Sequence, residues 1–161
     1  MVATWNGQVV GTLSIVEDSP QGLPIETTFE INKFRRPGNK LAEVTTLSIA
    51  PEARRHAPEI YFAMSKLVVE TAVVRHYSYL FSVVNPRHEN FYRDVQMFER
   101  LSPDAVAPYP LANGKLGVGL VLELASLRFK LLMSSSLETS RNLHDFYVIK
   151  RLRHFYPTFT E

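Results

Sequence analysis

The sequence predicts an α/β domain, and three stretches carry that prediction. Asn6-Gly7 stands between two β-prone runs, Met1 to Thr4 and Val9 to Val16, and Asn-Gly is a strong hairpin signal because both turn residues take positive φ. Leu41 to Ala50 (LAEVTTLSIA) reads as a strand ended by Pro51, and a helical pattern opens behind it near Pro58. Tyr79 to Val84 (YLFSVV) reads as a fully buried strand that Asn85-Pro86 stops, with the first turns of a second helix following. Strands that alternate with helices in this way form a sheet with crossover connections.

Bulk composition narrows the field. With 161 residues the chain is one domain in length, and 45% hydrophobic against 21% charged residues is ordinary globular composition. A formal net charge of +2 says little about partners, and no nucleic acid is expected. No apolar run approaches the roughly 18 to 20 residues of a membrane span, and the first residues, MVATWNGQVV, do not resemble a signal peptide. Cysteine is absent, which removes disulfides, thiolate metal sites and a cysteine nucleophile together and agrees with a cytoplasmic location. His56, His76, His88, His144 and His154 are scattered without a ligand spacing, so no metal is expected.

Taken in order, the second strand of the hairpin places Val9, Gly11, Leu13 and Ile15 on one face and Val10, Thr12, Ser14 and Val16 on the other. Glu17 to Lys40 has no periodicity and contains Pro20, Gly22, Pro24, Pro37 and Gly38, which makes it a long functional loop. It is read either as a flap covering one sheet face or as the lining of an acyl or acceptor pocket through Leu23, Ile25, Phe29 and Phe34. In the next strand Glu43 shares a face with Leu47 and Ile49. A carboxylate on an apolar face is costly unless paired or set in a cavity, and burial raises its pKa toward the range of a general base. An edge glutamate that reaches water or an arginine is the competing reading.

Arg54 and Arg55 precede the helix in which Ile60, Met64, Leu67, Val68 and Ala72 form an apolar stripe. Guanidinium groups beside a helix N-terminus favour a phosphate, although loop arginines are usually just solvated. Arg100 to Lys115 reads as a proline-rich loop with a short strand near Ala105 to Ala107. Asn113-Gly114 is a second hairpin signal ahead of a strand over Leu116 to Ala125. The pattern divides the chain into a core, 1–125, and a C-terminal helical extension, 126–161, where Leu143, Phe146, Tyr147, Lys150 and Phe155 mark a face. Lys150, Arg151, Arg153 and His154 form a basic patch in that extension.

Three stretches, VVGTLSIVEDSPQGLPIE, AEVTTLSIAPEARR and VNPRHENFYRDVQMFE, resemble the GNAT N-acyltransferase superfamily over about Val2 to Leu124. Within it they look closest to the FeeM-type N-acyl amino acid synthases. The resemblance implies a mixed sheet with helices on both faces, lacking the usual first strand and helices. Either that first segment is missing from this sequence, as in a fragment or a misplaced start codon, or the C-terminal helices replace it, from this chain or from the second copy of a homodimer. It implies N-acyl transfer of a medium- or long-chain acyl group to an amine, plausibly an amino acid. The donor would be the acyl-phosphopantetheine thioester of an acyl carrier protein rather than acyl-CoA.

Residue by residue, the resemblance makes Glu43 the base and Tyr92 the acid that protonates the departing thiolate. Asn85 would bond the pantetheine arm, and the backbone of Leu47, Ser48 and Ile49 would pair with its amides. The alternatives are a core aromatic for Tyr92 and a helix cap for Asn85. The superfamily's glycine-bearing pyrophosphate loop is replaced here by Arg54-Arg55-His56-Ala57-Pro58-Glu59. Without glycine this loop suits the single phosphodiester of a carrier protein, with Arg54 and Arg55 on the phosphate and Arg87 helping to dock an acidic partner. An acetyl-CoA-dependent acetyltransferase, an acyl homoserine lactone synthase and a catalytically silent binding module are the competing functions.

Overall fold

A computed structural model describes residues 1–133, so the expected face and basic patch between Leu143 and Phe155 lie outside the described residues. Asn6 and Gly7 take φ of 50° and 78° and turn β1 (Val2–Trp5) into β2 (Gln8–Glu17). Ala3 pairs with Gly11 and Thr4 with Val9, so Val10 is an extra residue in the ladder. This bulge turns Val10 inward (8% exposed) and Val9 outward (56%), so the alternation expected along β2 fails at its first residue.

β2 pairs antiparallel with β3 (Leu41–Ile49), which runs parallel to β4 (Tyr79–Val84). A parallel pair needs a crossover, and α1 (Ala57–Val74) supplies it, with Pro58 in its first turn. β7 (Leu116–Glu123) lies antiparallel to β4 and takes β5 (Glu99–Arg100) and β6 (Val106–Pro108) on its other side. Among the described residues this makes one mixed sheet, as the sequence predicts. Asn113 and Gly114 (φ 54° and 73°) close the turn between β6 and β7. β7 stops two residues earlier than expected because Leu124 N donates to Ser78 O (3.0 Å) and α3 (Leu124–Met133) begins there.

Each sheet face has its own core. α1 buries Ile60, Met64, Val68 and Ala72 against Leu13, Ala42, Leu80, Leu120 and Leu122, while Leu67 flanks the stripe half-buried. On the opposite face the loop from Glu17 to Lys40 forms two 3-10 turns, Pro24–Thr27 and Asn32–Phe34. Leu23, Ile25 and Ile31 are buried there against Leu41, Phe81 and Val121, with Phe29 and Phe34 packed beside them. Arg35 staples the loop by bonding Asp18 (2.8 Å) and Glu26 (2.6 Å), and its guanidinium holds both carboxyls below their usual pKa. Among the described residues no helix is long and apolar enough to cross a membrane.

Pro86–His88 forms a 3-10 turn after β4 and leads into α2 (Glu89–Asp94). Glu89 is buried and takes two bonds from Arg100 (2.5 and 2.6 Å), which tie α2 to β5. The Arg100 hydrogen bond lowers the Glu89 pKa, so the tie stabilises the fold above the ordinary glutamate range and is lost as pH falls through the lowered value. Arg100→Ala is expected to lower the unfolding temperature most near neutral pH, with a deficit that shrinks in acid. Thermal unfolding across pH checks this, and a deficit independent of pH would refute the ion-pair account.

Candidate functional site

β3 and β4 stay paired only from Leu41–Tyr79 to Glu43–Phe81 and then part. The hydroxyl of Ser82 donates to Val44 O (3.0 Å) where the pairing ends. Just beyond, Ser14 pairs with Thr45 and Thr12 with Ser48, so β3 carries one more residue than β2 over this interval. Thr46 sits in that bulge with φ 53°, a backbone region that disfavours a β-branched residue and costs of order 1–3 kcal/mol. A bulge bends its strand. Here it accompanies the parting of β3 from β4.

The splayed strands enclose a cavity of about 500 Å³, a size ordinary for small-molecule sites. β3 contributes Val44 to Leu47 and β4 contributes Ser82 to Val84, with Tyr61 and Ser65 of α1 closing one side. Asn85, His88 and Tyr92 line the wall beyond β4. Among the described residues β3 has no strand partner on the cavity side after Glu43, which leaves a backbone edge that could pair with an extended ligand.

This geometry sorts the residues that the sequence singles out. Leu47, Asn85 and Tyr92 meet at the cavity. Ser48 and Ile49 continue the same strand, paired on the β2 side with Thr12 and Gly11, without lining the cavity. Arg54 and Arg55 are exposed on the 3-10 turn Pro51–His56 that joins β3 to α1. Arg55 Nε donates to His56 Nε2 (3.1 Å), and the His56 ring stacks on Trp5 at 5.3 Å. Arg87 is exposed and bonds His88 Nε2 (3.0 Å), which itself lines the cavity. Leu23, Ile25, Phe29 and Phe34 do not line it: they fill the opposite core, so the loop is a covering flap and the pocket-lining reading is corrected.

Two of the named residues have the structural roles weighed for them and also border the cavity. Asn85 Oδ1 accepts from Arg87 N (3.1 Å) and so caps the turn, while the residue remains in the cavity wall. Tyr92 packs edge-on against Phe91, Phe98 and Tyr61 and lines the cavity. Burial pushes its phenol pKa up, opposed by a hydrogen bond with Tyr61. The net effect keeps the phenol in its neutral form.

Glu43 lies behind the cavity wall, 1% exposed. Oε2 accepts from Ile25 N at 2.6 Å, while Oε1 is buried without a hydrogen bond. Desolvation raises its pKa to about 7, against the lowering influence of the Ile25 N–H and of Tyr109. That combination poises a carboxyl to exchange a proton near neutral pH. Tyr109, His88 and Ser82 are cavity residues that sequence reasoning passed over. His88 sat inside a quoted motif without a role, and Tyr109 is embedded in a proline-rich loop that carries no catalytic pattern.

Comparison with known proteins agrees with this architecture. A family model described as N-acyl amino acid synthase FeeM matches residues 1–123. Among solved structures, FeeM, an N-acyl amino acid synthase from uncultured soil microbes, superposes with a TM-score of 0.69 at 24% identity, over 81% of this chain and 71% of that one. A bacterial toxin aligns at a TM-score of 0.46 and 17% identity, over 78% of this chain and 66% of its own, too slight a likeness to build on. No curated protein matches.

Proposed function

Because the chain belongs to the FeeM family of N-acyl amino acid synthases and is therefore an N-acyltransferase, we propose that it moves a medium- or long-chain acyl group from an acyl carrier protein to the amine of an amino acid. The observation that carries this reading is the cavity between β3 and β4, which pairs an open strand edge with an apolar interior. An extended phosphopantetheine arm would add to that edge through its amides, along Leu47, Ser48 and Ile49. The acyl chain would lie against side chains such as Leu13, Val68 and Leu122.

The chemistry follows from the groups present. The amine attacks the thioester carbonyl carbon, the C–N bond forms and the C–S bond breaks. Glu43 receives the ammonium proton, Tyr92 protonates the departing thiolate, and the second proton that the nitrogen sheds on becoming an amide restores the Tyr92 phenol. The glycine-free segment from Arg54 to Glu59 favours a donor with one phosphodiester, which supports a carrier protein over a whole acyl-CoA. Arg54, Arg55 and Arg87 would contact the phosphate and the acidic surface of that carrier.

The test is release of free thiol from a hexadecanoyl carrier protein by the purified chain in a pool of amino acids, with the acylated product identified by mass. Turnover of acetyl-CoA with none of the carrier thioester would sink the proposal. Arg54→Ala with Arg55→Ala is expected to raise KM for the carrier thioester about tenfold while kcat holds within about twofold, and added salt should mimic the change. A fall in kcat at unchanged KM would remove these arginines from docking.

A further inference from the structure

An N-acyl amino acid keeps the carboxylate of its acceptor, so a site that makes one must receive a group that stays negative throughout the reaction. A carboxylate set against apolar walls is costly unless a donor or an opposite charge meets it. Among the described residues no lysine, arginine, aspartate or glutamate lines the cavity between β3 and β4, and His88 is the single lining side chain that can carry a positive charge. The other lining residues are apolar or bear a hydroxyl or an amide.

The turn that ends β4 fixes His88 in place. His88 N donates to Asn85 O (2.9 Å) and Arg87 N to Asn85 Oδ1 (3.1 Å), so the strand-stopping asparagine anchors both residues. Glu89, the next residue, is buried and tied to Arg100 of β5, which holds the turn from its other end. His88 is exposed as well as lining the cavity, so it stands at the mouth and not in the depth. Arg87 Nε donates to His88 Nε2 (3.0 Å). An imidazole that accepts at Nε2 carries its proton on Nδ1, and among the described residues that N–H makes no hydrogen bond. The ring therefore presents an unused donor, with a guanidinium charge directly behind it.

We propose that His88, backed by Arg87, binds the carboxylate of the acceptor amino acid at the mouth of the cavity. The charge then stays at the wet rim, while Leu13, Val68, Leu80 and Leu122 line the apolar interior. A carboxylate carries the same charge in substrate, transition state and product. His88 accordingly contributes uniform binding, and its loss acts on KM and not on kcat. The role rests on the acceptor being an amino acid; the phosphate of the donor arm is the other anion that the ring could meet.

Binding is tested first, because it needs no turnover. The full chain, His88→Ala and His88→Phe are titrated by calorimetry with N-decanoylglycine and with N-decanoylglycinamide, its neutral counterpart. The parent is expected to bind the carboxylate about tenfold tighter than the carboxamide, and both variants to bind the two alike. In the thiol-release assay both variants should raise the acceptor KM about tenfold, with kcat and the carrier KM within about twofold. Unfolding temperatures close to the parent's show that the turn is intact, and the phenyl ring keeps the bulk of the imidazole without its N–H. A carboxylate preference that survives in the variants would overturn the assignment, as would a parent that binds the two ligands alike or not at all. A raised carrier KM at unchanged acceptor KM would give His88 to the phosphate instead. Preference lost in the variants of a protein that releases no thiol from any carrier thioester would keep the carboxylate site and sink the carrier-protein reading alone.

Discussion

Glu43→Gln is expected to cut turnover of the carrier thioester about a hundredfold or more while making the protein more stable above neutral pH. The catalytic part follows from losing the only proton-accepting role assigned to that position. The stability part follows from the sign of the pKa shift. Burial raises the Glu43 pKa to about 7. Between the ordinary glutamate value and about 7, the folded state therefore holds a proton that the unfolded state has lost. Stability contributed by this group falls over that window and levels off above it. The glutamine amide avoids this cost. Its oxygen can accept from Ile25 N, and its NH₂ can donate to Tyr109 Oη. The gain above pH 7 is up to about 3 kcal/mol at full burial and smaller where water screens the site. Denaturant unfolding at pH 5 and pH 8 measures it. Equal stability changes at the two pH values would show that Glu43 titrates normally.

Phe81→Ala is expected to destabilise the fold by about 3–5 kcal/mol, a large share of the roughly 5–15 kcal/mol that a domain possesses. Phe81 is fully buried, pairs in register with Glu43, and meets Phe34 edge-on at a centroid distance of 5.2 Å. Its ring therefore joins the covering flap to the sheet directly beside the proposed base. Urea unfolding should show a lower midpoint with an unchanged slope. Water admitted by the missing ring should also bring the Glu43 pKa back toward the ordinary range, which a shifted pH–rate profile would reveal. A loss under about 1 kcal/mol would mean that the flap collapses into the space or never depended on it.

Much of this architecture is legible along the chain because its determinants are local. Asn6-Gly7 encodes positive φ at two adjacent residues, and the turn forms there. Asn85-Pro86 encodes a strand stop and a capped turn, and both are present. The stripe from Ile60 to Ala72 needs only helical spacing to find the sheet. Where the reading slipped, the determinant was a partner strand. The bulge at Val10 depends on how β1 meets β2, and no pattern within β2 alone announces it. The loop from Glu17 to Lys40 shows the same limit: its apolar residues were visible, but which surface they cover was not.

The candidate site divides in the same way. Family motifs in the sequence pointed to Glu43, Tyr92 and Asn85, whose residue types suit acyl transfer and whose positions lie at or beside strand ends. The sequence by itself determined the order of the main strands and helices, though not the short β5, together with the family and the N-acyltransferase class. Only the tertiary structure decided that Glu43 stands behind the cavity wall, bonded to Ile25 of the flap and facing Tyr109. Periodicity and turn chemistry act between neighbours, so they are written into short stretches. A buried carboxylate acquires its partners, its desolvation and its pKa from segments remote in the chain, and these meet only when both faces of the sheet are packed.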